Sequence, residues 1–87
     1  MTTVASAETL VTEFQLRGIH AYRSDGATEH ACHAIINKAQ VQVHFSTDPI
    51  HGDIAWQGND GRTIRKNRNV ETVALADDVI DSIVNPA

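Results

Sequence analysis

Between Arg62 and Val84 the chain passes from four basic residues, Arg62, Arg65, Lys66 and Arg68, into a segment whose only charges are acidic. Val70–Val84 repeats its apolar residues at helical spacing. Asn69 is placed as an N-cap, Glu71 lies in the first turn and Pro86 falls just past the end. Projected at ~100° per residue, Glu71, Asp77, Asp78, Asp81 and Ser82 share one arc. Val73, Leu75, Ala76, Val79, Ile80, Ile83 and Val84 cover roughly half the circumference, wider than the ~100° stripe that lying on one sheet requires. A helix so broadly apolar needs two neighbours. They are either a sheet and a second helix inside the fold, or an inside neighbour and an outside partner. The second account makes Leu75, Val79 and Ile83, with Asp77, Asp78 and Asp81 beside them, a protein-interaction surface.

What can surround that helix is limited by length. Eighty-seven residues build one core, so the expectation is a single domain over 1–87. Chains of this size have a thin stability margin, which makes a homodimer or another partner contact an expectation too. Only four residues are Phe, Tyr or Trp (Phe14, Tyr22, Phe45, Trp56), so the core is mostly aliphatic.

Upstream, Ser6 caps a first helix with Glu8 in its first turn, and Ala7, Leu10, Val11 and Phe14 form a narrow stripe. Gly18 after Arg17 stops it, and Leu16 faces away from the stripe. The period then changes. Ile19–Arg23 reads as a strand, Ser24-Asp25-Gly26 as a turn, and His30–Ile36 as a second strand. Asn37-Lys38 is a tight connection. Val41, Val43 and Phe45 alternate with Gln40, Gln42, His44 and Ser46, one face buried and one wet. Asp53–Gln57 is a fourth strand, Gly58-Asn59-Asp60-Gly61 a hairpin turn, and Arg62–Arg65 a short fifth strand.

The order α-β-β-β-β(-β)-α predicts an α+β two-layer sandwich, an antiparallel sheet with both helices on one face. Four strands at ~4.8 Å make a sheet about 19 Å wide, and two helices of ~10 Å diameter cover one face of it. The other face, carrying Gln42 and His44, is left open. In topology alone, the order and the basic run before the last helix resemble the double-stranded RNA-binding domain. That family's glycine-flanked Lys-Lys-x-Ala-Lys run has no counterpart here. The matching place reads Arg65-Lys66-Asn67-Arg68-Asn69-Val70-Glu71, with Glu71 where phosphate would sit, so no functional residue carries over.

Function classes divide on charge and motif. A net charge of −4 argues against a polybasic nucleic-acid or membrane binder, although protonating all five histidines would bring it to +1. Arg62, Arg65, Lys66 and Arg68 before a helix N-terminus carry the alternative reading, phosphate-backbone binding. Glu29-His30-Ala31-Cys32-His33 raises metal binding, with His30, Cys32 and His44 as ligand candidates. On a strand, however, His33 points away from His30 and Cys32. No P-loop, dinucleotide glycine pattern or paired-carboxylate motif is present, which argues for a protein that is not an enzyme and needs no cofactor. One cysteine, no leader pattern and no bilayer-length apolar run predict a cytoplasmic protein without a membrane segment. The leading expectation is a non-enzymatic interaction domain that docks to a protein partner or to itself. Fold-level analogy adds an accessory, regulatory or inhibitory role of the kind small acidic α+β proteins play, phage-encoded ones among them.

Overall fold

The first helix forms where its caps require it. In the computed structural model, which describes residues 3–48 and 50–85, Ser6 and Thr9 close a reciprocal capping box. The Thr9 N–H donates to Ser6 Oγ (3.2 Å) and the Ser6 N–H to Thr9 Oγ1 (2.8 Å). Helix α1 spans Ala7–Leu16 and buries Ala7, Leu10 and Phe14. Gly18, at φ +79°, adopts the left-handed conformation that ends it. Leu16 is exposed, on the face away from the buried stripe.

Five strands follow: β1 (Ala21–Asp25), β2 (Glu29–Ile36), β3 (Ala39–Ser46), β4 (Asp53–Gln57) and β5 (Thr63–Asn67). They pair in chain order as an antiparallel meander. Between β2 and β3, Asn37 and Lys38 both take positive φ (51° and 69°), as a two-residue hairpin with the twist of its strands requires. The first strand lies two residues beyond the expected Ile19–Arg23. Ser24 and Asp25 pair with β2 instead of turning, and the Gly26 N–H closes the hairpin on the Glu29 carbonyl (2.8 Å). The last strand likewise runs past Arg65 to Asn67.

Helix α2 spans Thr72–Val84, two residues later than the expected start at Val70, and its N-cap is Glu71 rather than Asn69. The reason is long-range. Residues 3–5 run beside 70–72: the Ala5 N–H donates to the Val70 carbonyl and the Thr72 N–H to the Thr3 carbonyl, both at 2.9 Å. The buried Thr72 hydroxyl also donates to the Thr3 carbonyl (2.9 Å). With its backbone held by that strap, Val70–Glu71 cannot enter the helix.

One sheet face and both helices share the core. Ala21, Cys32, Ala34, Ile36, Val41, Val43, Phe45, Ile54 and Trp56 meet Leu10 and Phe14 of α1 and Leu75, Ala76, Val79 and Ile83 of α2. The α+β sandwich with its helices on one face is therefore the observed architecture. Most of the apolar arc on α2 is covered inside it, while Val73 and Val84 at its edges stay exposed. Leu75 and Val79 are 0% exposed and Ile83 5%, because α2 meets α1 as well as the sheet. This corrects the expectation that these three side chains form an interaction surface.

Candidate docking surface on the open face of the sheet

Strand alternation sends every second side chain away from the helices. The register lines these up in rows. Ser24 of β1, Ala31 of β2, His44 of β3, Ala55 of β4 and Arg65 of β5 make one continuous row. Tyr22, His33 and Gln42 make the next. The centre of the face is uncharged: Tyr22, Ser24, Ala31, His33, Ile35, Gln40, Gln42, Ala55 and Gln57, with His44 beside them. Formal charges lie at its margins, on Glu29, Asp53 and Arg65.

Several of these groups are held in fixed positions. Tyr22 and His33 stack with ring centroids 4.6 Å apart and planes 2° from parallel. The Ser24 hydroxyl and His33 Nε2, 2.7 Å apart, share a hydrogen bond that sets the imidazole orientation. His20 closes the near side, its ring 6.2 Å from Tyr22 and tilted by 56°. His44 Nδ1 lies 3.0 Å from Glu29 Oε1, yet the atom is buried and the pair is not aligned for a hydrogen bond. The two groups are therefore close without sharing a hydrogen bond. Around these groups are two hollows, one of about 160 Å³ walled by His20, Tyr22, His33, Ile35, Gln40 and Gln42. The second, about 310 Å³, shares Gln40 and Gln42 and extends to His44 and Gln57.

The outer surface of the helical layer is electrically different. The helices and their caps carry six carboxylates (Glu8, Glu13, Glu71, Asp77, Asp78 and Asp81) and one cation, Arg17, a formal −5 by segment, to which Arg23 of β1 and Lys66 of β5 reach across to pair with Glu8 and Asp78. The remaining five carboxylates and six cations leave the sheet and its loops at +1. All five histidines belong to that second group.

The residues singled out by sequence are dispersed. Asp77 receives Arg17 (2.7 Å), which also bonds Glu13, and these carboxylates raise the guanidinium pKa above its ordinary value. Asp78 receives Lys66 (3.0 Å), and Asp81 accepts from the Asn85 amide (3.0 Å). Arg62 turns back onto Asp60 (2.6 Å), and Arg68 donates to the Asp48 carbonyl (2.5 Å). Alternation along β5 puts Arg65 on the open face and Lys66 on the other. The four basic residues therefore make no common patch.

His30 and Cys32 point toward the helices and His44 away from them. His30 Nδ1 lies 2.7 Å from Asp25, and burial pushes the Cys32 thiol up to about 12. Among the described residues, no three His, Cys, Asp or Glu side chains are placed to hold one metal ion. The face itself was visible in sequence through Gln42 and His44, but Tyr22, Ser24 and His33 were not. Their convergence depends on the β1–β2 register. The one available signal was Tyr22, an aromatic residue outside any clear apolar stripe.

No helix among the described residues is long and apolar enough to cross a membrane. Comparison with protein-family models, curated proteins and solved structures finds no match to this chain.

Proposed function

We propose that this protein is a small non-enzymatic interaction domain, an accessory or regulatory factor that docks to a protein partner through the open face of its sheet. The observation that carries this reading is the distribution of charge and aromatic surface. Phe14, Phe45 and Trp56 are buried, whereas Tyr22 is 55% exposed, on the open face. An uncharged centre holding an exposed tyrosine, framed by charge, has the composition of an interface core and its rim. Asp77, Asp78 and Asp81 belong to a separate acidic surface on α2 and supply long-range steering rather than the contact itself.

Other readings have less support. The Ser24–His33 pair has no carboxylate on the second imidazole nitrogen among the described residues, so the third member of a nucleophile–base–orienter set is missing. Nucleic-acid binding through Arg62–Arg68 loses the charge that Arg62 and Lys66 share with Asp60 and Asp78, and the two-sided placement of Arg65 and Lys66 divides what remains.

Affinity capture from the native host, with and without nuclease, tests the proposal on the wild type and on Gln42→Lys. Gln42 is exposed, so its substitution leaves the core intact. A protein retained by the wild type and lost in the variant, unaffected by nuclease, is the expected result. Equal capture by both proteins, or capture abolished by nuclease, overturns it.

A further inference from the structure

The smaller hollow on the open face is built for one kind of side chain. Resting on the docking reading above, we infer that it seats a single aromatic side chain of the protein partner, stacked on the Tyr22–His33 pair. Three rings make its wall: His20, Tyr22 and His33. Two of them are already parallel, and the Ser24 hydroxyl fixes the plane of His33, so a third ring adds to an existing stack without ordering it first.

Size and charge select the same occupant. At about 160 Å³ the hollow lies below the ~300 Å³ at which drug-sized ligands begin, and suits one ring. No Asp, Glu, Lys or Arg lines it. By contrast, the groove between α1 and the start of α2 is walled by Glu8, Glu13 and Glu71, and the hollow beside the β3–β4 loop by Asp53 and Arg68. A neutral ring therefore enters here without desolvating a charge. Ile35 supplies an apolar side. Gln40 and Gln42 stand between this hollow and its larger neighbour, so their amides can bond the backbone on either side of an anchored ring.

Nuclear magnetic resonance titration of the uniformly labelled protein tests this with three probes: N-acetyl-tryptophanamide, N-acetyl-leucinamide and adenosine. The indole probe is expected to saturate with a Kd on the order of 1–10 mM, the weak affinity of one unanchored ring. The shifts should centre on Tyr22, His33, Ile35 and the Gln40 and Gln42 side-chain amides. Leucinamide should bind about fivefold more weakly, since it cannot stack. Tyr22→Ala and Ile35→Asn, both at exposed positions, should each weaken the indole probe about fivefold while the amide spectrum keeps the dispersion of a folded protein. No saturable shift, equal binding of leucinamide, or tighter binding of adenosine overturns the inference, the last by assigning the hollow to a nucleobase. The capture experiment with Gln42→Lys reports on the whole face and the titration on this hollow alone. Failure of one is thus separable from failure of the other.

Discussion

The Trp56 indole N–H donates to Ser82 Oγ across 2.9 Å, and the same hydroxyl donates onward to the Val79 carbonyl at 2.7 Å. Ser82 lies on the polar arc of α2, yet its role is to satisfy the one polar atom of a residue in the core. Ser82→Ala leaves the indole N–H unpaired beside α2, and the cost of such an orphan is about 1–3 kcal/mol. Urea unfolding should show that loss as a lower midpoint at unchanged slope. Ser82→Thr, which keeps the hydroxyl, should lose less. A loss below about 0.5 kcal/mol in Ser82→Ala would mean that the indole N–H finds another partner once the hydroxyl is gone.

Two substitutions on α2 separate core from surface. Leu75→Ala removes a fully buried side chain and should cost about 2–5 kcal/mol. Against the ~5 kcal/mol that a chain this small is expected to have, that leaves about 0–3 kcal/mol and a sharply lowered unfolding midpoint. Val73 is 44% exposed in the first turn, where a carboxylate meets the positive end of the helix. Val73→Asp should therefore stay within about 0.5 kcal/mol of the wild type. A large loss in Val73→Asp and a small one in Leu75→Ala, read by thermal unfolding, would reverse the assignment of the two faces.

Legibility in the sequence followed the range of the interaction. Local signals served well: the Ser6 cap, the Gly18 stop, the alternation of Val41, Val43 and Phe45, and the turn at Asn37-Lys38 all correspond to what is observed. Features fixed by distant pairing did not show. The strap between residues 3–5 and 70–72 moved the start of α2, and nothing local to Asn69 or Val70 encodes it. The stack of Tyr22 on His33 needs the register Tyr22↔His33, which shifts if β1 starts two residues earlier. Periodicity also picked out Leu75, Ala76, Val79 and Ile83, which are buried, but could neither set them apart from the exposed Val73 and Val84 nor name what covers them. That depended on α1 lying alongside.

Cys32 is fully buried, and burial raises its thiol from 9.0 to about 12. Between those two values the unfolded chain releases the proton while the folded chain keeps it. The unfolded state then binds fewer protons, so stability falls as pH rises, by at most about 1.4 kcal/mol per pH unit. Urea midpoints measured at about pH 8 and about pH 10.5 should diverge between wild type and Cys32→Ala, the wild type losing more. Every group other than the thiol is common to both proteins and cancels from the comparison. Parallel curves would mean that the thiol reaches solvent in the folded state. The same burial predicts that alkylation of Cys32 proceeds no faster than opening of the core.

At the acid end three exposed carboxylates act together. Asp25 is held below the ordinary carboxylate range by the Arg23 guanidinium, with His30 adding to it; Asp48 is lowered by the Ile50 and His51 N–H groups. Asp60 is lowered by the Arg62 N–H and then by its guanidinium. Each stands at a strand end or turn: Asp25 closing β1, Asp48 after β3, Asp60 between β4 and β5. A depressed folded-state pKa gives stability that is fully present above the unfolded value of 3.8 and is lost as pH falls through the folded value. The stability curve should therefore descend below about pH 4, with the three hairpin ends loosening first. Protection from hydrogen exchange at the Ile50 and Arg62 amides, which donate to Asp48 (2.8 Å) and Asp60 (3.0 Å), should fall before protection at the core strands. The variant carrying Asp25→Asn, Asp48→Asn and Asp60→Asn keeps an oxygen acceptor at each position but has no carboxylate there to titrate. Its acid limb should be flatter than that of the wild type. An equally steep limb would assign acid unfolding to other groups.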